Sequence, residues 1–370
     1  MLDVAPTLDL PTMLDDLRAL VEVESPSHDV PAISASAVAV AALIERRLGS
    51  RPELIDGAVG PHVHWRGAGD PRVLLVGHHD TVFPAGALAA RPFAVADGRA
   101  TGPGVFDMKG GIVIGVHALA SLSDLGGVEL LITADEEVGS ATSRALIEDR
   151  ATACGAVLVL EPGADGGALK IGRKGTGTFE VVVHGRAAHA GLEPERGVNA
   201  LVEAAKQVLA IVALADPERG TTVTPTVASA GTADNVVPAE ARVRVDVRVA
   251  EPAEGDRLVA AMSALAPADP QASIEVLGGL NRPPMPESAA AELFELATKV
   301  AAAARLPVPI GVTVGGGSDG NFTAAIGVPT LDGLGATGGG AHADHEHVLV
   351  ADLPDRTSLV AALVHALQHR

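Results

Sequence analysis

Apolar residues recur with helical spacing over residues 11–22 and again over 33–48, where Ala dominates. Short, unbroken apolar runs follow at Arg72-Val-Leu-Leu-Val76, Val128-Glu-Leu-Leu-Ile132 and Ala156-Val-Leu-Val-Leu160. Runs this short and this continuous are expected of parallel strands covered on both faces. Residues 110–122, between the first two runs, predict a helix. Helices and strands in alternation define an α/β class.

From about Thr178 the pattern changes. Phe179–His184, Thr221–Ser229 and Ala272–Val276 predict strands, and Ala241–Val249 alternates apolar and polar residues strictly. Helices are expected over Val198–Ala213 and Asp256–Ala264. The order β-α-β-β-α-β is that of a split βαβ, ferredoxin-like sandwich. Loop chemistry brackets it, GRKGTG before and GGLNRPPMP after. Helices at 289–304 and 353–367 then resume the first pattern. We therefore expect a discontinuous larger domain (1–176 and 285–370) interrupted by a small inserted one (177–284).

Charge and composition narrow the chemistry. With 46 Asp+Glu against 27 Lys+Arg, the formal net charge is −19, and no basic cluster suits nucleic acid. The single cysteine, Cys154, rules out internal disulfides and thiolate-built metal sites, and beside an apolar strand it is expected to be a buried, inert thiol. No apolar run is long enough to span a membrane, and MLDVAPTLDL lacks the features of a signal peptide, so a cytoplasmic location is expected. Tyr is absent, which removes the phenol as a catalytic acid.

Three of the predicted parallel strands run into polar residues: Gly77-His78-His79-Asp80, Asp135-Glu136-Glu137 and Glu161-Pro162. Open α/β sheets bind ligands at these carboxyl ends. Asp107, in a Gly-rich loop before a helix, and His342, after Gly338-Gly339-Gly340, add two more donors; His345 and His347 compete locally with His342. The five residues suit two divalent ions such as zinc, with Asp107 bridging, His78 and Glu161 on one ion, and Glu137 and His342 on the other. Three carboxylates against two such ions leave +1, enough to ease the loss of a proton from water. Asp80 is placed to orient the His78 imidazole, and Glu136 to act as general base. His79 is expected to point to the opposite side.

The strings GHHDTV, GPGVFDMKGG, DEEVGS, LVLEP, GRAAHAGLEPERGVNAL and GGGAHADHE resemble the M20 metallopeptidases, nearest the glutamate carboxypeptidase (carboxypeptidase G2-like) or deacylase branch. The resemblance implies a two-zinc exopeptidase or deacylase, with Co2+ or Mn2+ as alternatives, whose inserted domain is a lid and a homodimerisation surface. It assigns the same roles to His78, Asp80, Asp107, Glu136, Glu137, Glu161 and His342. It further implies that His189 reaches a neighbouring subunit's site to stabilise an oxyanion. Asn235 and Arg248 match positions that hold a substrate carboxylate, and Gly317 and Ser318 match a substrate loop. Arg282 is a further carboxylate candidate on guanidinium chemistry. At His79 such proteins often carry an apolar residue.

The expected activity is hydrolysis of the amide bond of a peptide or N-acyl amino acid bearing a free carboxylate, with no nucleic-acid or membrane partner. Deacetylation or desuccinylation of a biosynthetic intermediate is a near alternative. A non-catalytic dimeric binding protein is the alternative from another class.

Overall fold

The computed structural model describes residues 9–369, so residues 1–8 of the stretch read above for targeting signals lie outside them. The chain forms two compact units: residues up to 172 with 285–314 and 318–370, and residues 173–284 with 315–317. Among the described residues no helix is long and apolar enough to cross a membrane.

The first unit is built on a six-stranded sheet whose order in space is Glu53–Ile55, His62–Arg66, Val128–Thr133, Val73–His78, Val157–Val159 and Thr330–Leu331. The last four are mutually parallel; the first two are antiparallel additions at one edge. Every residue of Val73–His78 and Val128–Thr133 is buried, which is why their sequences do not alternate. The helices Leu10–Val21, Val30–Leu48, Gly110–Ala120, Glu287–Ala304 and Leu353–Gln368 fall within one or two residues of the predicted starts and ends, except that Val30–Leu48 begins three residues early. Asp29 explains that earlier start, because its side chain accepts a hydrogen bond from the Ala32 amide; Gly49 then closes the helix in the left-handed conformation. The Gly110–Ala120 helix has no polar face, and Gly111 lets its backbone approach the carbonyl of Leu160, where a Cβ would meet that oxygen at 2.0 Å. The close approach sets the helix that follows Asp107 against the segment that carries Glu161.

The second unit is an antiparallel sheet, ordered Thr222–Ala230, Glu240–Val249, Gly175–His184 and Ser273–Arg282, with helices Ala200–Val212 and Pro252–Ser263. Its topology is the ferredoxin-like one. Two strands run further than their sequences suggest. Gly175–His184 and Ser273–Arg282 take in most of the glycine-rich stretches read above as loops, because ten-residue pairing with a neighbour overrides the local signal. Gly278, at φ 86°, lies so close to the facing strand that a Cβ would meet the carbonyl of Thr178 at 2.2 Å.

One buried carboxylate ties three helices of the first unit. Asp16 accepts hydrogen bonds from Arg46 (2.8 Å) and Arg47 (2.7 Å) and pairs with His117 Nε2 (2.8 Å). Burial pushes its pKa up, but the bonds from His117, Arg47 and Arg46 outweigh that and hold it well below the usual range. A depressed folded-state pKa gives stability that is complete above the unfolded value, near 4, and lost as the pH falls further. Asp16→Ala should therefore cost about 3 kcal/mol at pH 7. Denaturant melts across pH should show that gap constant above about pH 4 and narrowing below it.

Candidate metal centre

Five chain segments of the first unit meet at the carboxyl ends of the parallel strands. The imidazole of His78, at the end of its strand, stands 3.4 Å from Asp107 Oδ1 and 3.4 Å from Glu161 Oε1. His342 Nε2 stands 3.3 Å from Asp107 Oδ2 and 3.1 Å from Glu137 Oε1. Asp107 thus presents one carboxylate oxygen to each histidine. Of His342, His345 and His347, it is His342 whose imidazole meets these carboxylates; His347 Nδ1 bonds instead to the carbonyl of His345. The His342 backbone is left-handed (φ 63°), an arrangement that non-glycine residues keep only where surrounding structure enforces it.

Asp80 supports this arrangement in more ways than its spacing from His78 suggests. Its Oδ1 is 3.3 Å from His78 Nδ1, which also bonds the Asp80 carbonyl at 3.0 Å. The same carboxylate accepts the amides of Glu136 and Glu137 (3.2 Å each) and the hydroxyl of Ser27 (2.8 Å). His79 turns away, with its ring nitrogens on Ser36 Oγ (3.2 Å) and the Pro61 carbonyl (3.1 Å), and burial lowers its pKa to about 4.

The donors suit divalent cations. His78 Nε2 and Asp107 Oδ1 are buried with no hydrogen-bonding partner, an expensive state for polar atoms unless an ion uses them. Donor atoms of His78, Asp107 and Glu137 lie within 4.8 Å of one another, as do those of His78, Glu136 and Glu161. Imidazole nitrogen with carboxylate oxygen is a zinc-type set. Burial opposes a charge on His78, but Asp107, Asp80 and Glu161 raise its pKa well above the ordinary value. Asp107 and Glu137 lift His342 to about 10 against its partial burial. Metal binding would compete with protons for both imidazoles. A cavity of about 430 Å3 adjoins Asp107, with Phe106, Pro162, Lys170 and Val314 in its walls.

The remaining predicted residues divide between the units. Ser318 belongs to the first and is fully buried, its hydroxyl bonded to Asp332 (2.6 Å), so the side chain is committed to the interior. His189, Asn235, Arg248, Arg282 and Gly317 belong to the second. Arg248 and Arg282 both pair in register with Thr176, from the two strands flanking it, and Gly317 packs against Thr176 and Arg282. Arg248 also gives two hydrogen bonds to Asp246 (2.9 and 2.8 Å). His189 and Asn235 adjoin each other, since Val236 pairs with His189 and the Asn235 carbonyl accepts the Ala190 amide. His189 Nδ1 accepts the amides of Gly191 and Leu192 (3.1 Å each), so in the neutral ring the proton sits on Nε2, which becomes a donor. The two groups lie towards opposite ends of the Glu240–Val249 strand, a separation of about 26 Å or more by the rise of an extended chain.

Some supporting residues receive no role from the sequence alone. Asp135 accepts the amide and hydroxyl of Thr142 (2.7 and 2.8 Å) and the hydroxyl of Ser143 (2.6 Å), bracing the turn that bears Glu136 and Glu137. His62 donates to Thr142 Oγ1 and accepts the Ala134 amide. Asp319 accepts the hydroxyls of Thr133 (3.1 Å) and Ser140. Glu346 accepts three amides of the Asp107 loop, while burial pushes its pKa up to about 7.

A parallel-sheet unit that gathers His, Asp and Glu at its strand ends, with a ferredoxin-like unit inserted, is the framework of a metallopeptidase-type hydrolase. The chain belongs to peptidase family M20/M25/M40, whose profile matches residues 74–366, and it is an enzyme of that family. Carboxypeptidase G2 from Pseudomonas sp. (strain RS-16) is 32% identical over 375 residues, 97% of this chain and 90% of that protein. Succinyl-diaminopimelate desuccinylase from Gluconacetobacter diazotrophicus is 31% identical over 332 residues, 81% of this chain and 82% of that one. Aminopeptidase PepT from Bacillus cereus ATCC 10987 shares the fold with a TM-score of 0.78 at 21% identity, over 98% of this chain and 100% of its own. The M20 family metallo-carboxypeptidase Sso-CP2 from Sulfolobus solfataricus shares it with a TM-score of 0.73 at 17% identity, over 98% and 99%.

His79 is the local departure read from the sequence, and its contacts are structural. His79→Asn should lower stability by about 1–2 kcal/mol, through two altered hydrogen bonds. Turnover on any accepted substrate should stay within about threefold of wild type, because neither ring nitrogen faces the carboxylate cluster. Chemical denaturation and steady-state kinetics on the same preparation check both.

Proposed function

We propose that this enzyme is a two-metal amidohydrolase that cleaves the amide bond of a peptide or N-acyl amino acid bearing a free carboxylate. The observation that carries the reading is the Asp107 carboxylate, with one oxygen towards His78 and the other towards His342. His78 and Glu161 would hold one ion, Glu137 and His342 the other, and Asp107 both. When bound, the ions would polarise the scissile carbonyl and lower the pKa of water. Zinc suits the donors, and Co2+ or Mn2+ would fit the same set.

The chain's own residues supply the rest. Glu136 takes the proton from the attacking water as its oxygen adds to the carbonyl carbon. When the C–N bond breaks, Glu136 returns that proton to the leaving amine. Asp80 keeps the His78 ring oriented and fixes the Glu136–Glu137 amides. His189, protonated at Nε2, donates to the developing oxyanion. Arg248 and Arg282, in one row with Thr176, hold the substrate carboxylate, which guanidinium groups bind bidentately.

A homodimer follows from the same reading. The His189 group and the arginine row are too far apart within one inserted unit to touch one amino-acid-sized substrate. A second copy supplying His189 resolves this. The helix Ala200–Val212 offers an apolar face for such pairing: Leu201, Leu209 and Val212 are all exposed.

Two experiments test these points. Metal-reconstituted enzyme should release amino acid from a panel of N-acyl amino acids and carboxyl-terminal dipeptides, with N-succinyl and N-acetyl substrates as separate arms. Glu136→Gln should lower kcat about 10²–10⁴-fold at unchanged metal content. Full activity of metal-free or Glu136→Gln protein would overturn the reading. Secondly, Glu136→Gln and His189→Ala each inactivate separately, but after subunit exchange the mixture should recover about a quarter of wild-type activity, since one site in each mixed dimer is intact. No recovery in demonstrably exchanged dimers would exclude a shared site.

A further inference from the structure

Glu346 lies four residues beyond His342 and is 1% exposed, yet its carboxylate bonds to a loop some 240 residues earlier in the chain. Oε2 accepts the amide of Gly104 at 2.9 Å, and Oε1 accepts those of Phe106 (2.9 Å) and Asp107 (2.8 Å). The side chain of that same Asp107 then meets His342. A closed path results: His342, the short turn through Ala343 to Glu346, the Asp107 backbone, the Asp107 carboxylate, and back to His342. One end of the path fixes where Asp107 starts, and the other fixes where His342 ends.

We propose that Glu346 is a positioning residue that sets the Asp107 loop and the His342 segment at one distance, so that Asp107 can serve two ions at once. The proposal rests on the two-metal reading given above. A carboxylate suits the task because its two acceptor oxygens span three amides; an amide side chain could serve only one side of the loop and would present its own N–H groups to the other. Shortening to Asp would withdraw both oxygens from the loop. Partners of metal-ligating groups of this kind typically change metal affinity 10–100-fold when replaced.

The test uses full-length wild type, Glu346→Gln and Glu346→Ala, stripped with a chelator and titrated with Co2+. Calorimetry and the visible absorption of the bound cobalt are followed, and metal-free melting temperatures are recorded alongside. Wild type should bind two Co2+. Glu346→Gln should bind the weaker ion about 10-fold less tightly, and Glu346→Ala about 100-fold, with a changed cobalt spectrum. Glu346→Gln should lower the metal-free melting temperature modestly, because it sets an N–H against loop amides, but its loss of Co2+ affinity should exceed what that lowering accounts for, which a purely structural strut would not predict. Wild-type affinity and an unchanged spectrum in Glu346→Gln would overturn the proposal. So would losses of affinity in both variants that track their metal-free melting temperatures. A wild-type protein that binds fewer than two Co2+ would overturn the two-metal reading itself.

Discussion

Negative charge concentrated at one point is the constraint around which the first unit is organised. Asp80, Asp107, Glu136, Glu137 and Glu161 converge on two imidazoles, and like charges so close repel strongly where water is largely excluded. The protein holds several of these residues in place individually. Asp80 is satisfied by two amides and a hydroxyl, and Asp107 is gripped through its backbone by Glu346. Lys170 stands 3.8 Å from Glu161. The strands contribute by ending together, so that His78 and the two acidic turns emerge at one edge of the sheet.

The framework was legible where burial imposes a simple pattern. Val73–His78 and Val128–Thr133, enclosed on both faces, read as unbroken apolar runs, and Glu240–Val249, with one wet face, read as strict alternation. Legibility failed where burial is slight. The helix Arg144–Cys154 buries only Ile147, Ala151 and Cys154, a narrow i, i+4, i+7 stripe with a single large apolar side chain, and the strand Ala94–Ala96 buries nothing, so both leave a weak signal. It failed again along Ser273–Arg282, where partnership with a neighbouring strand carries the chain through Gly278 and Gly279.

The site shows the same division. His78, Asp107, Glu137, Glu161 and His342 have chemistry that stands out at strand ends and in glycine-rich loops, and the fold links them through pairwise contacts of 3.1 to 3.4 Å. Asp135, Asp319, His62 and Glu346 act on backbone amides, which nearly every residue type provides, and on Ser and Thr hydroxyls, which are common along the chain. Nothing in the spelling of those partners marks them. Cys154 needed no such help: buried beside an apolar strand, its thiol is pushed up to about 12, mainly by desolvation.

The insertion has a consequence for synthesis on the ribosome. The first unit draws on residues as late as 318–370, including His342 and the helix Leu353–Gln368, whereas the second is almost wholly contained in 173–284. Emerging polypeptide can therefore mature its middle while its beginning still lacks partners. Until residues 318–370 have emerged, the strands Val73–His78 and Val128–Thr133 must wait with their apolar surfaces incompletely covered, the condition in which nascent chains depend most on chaperones.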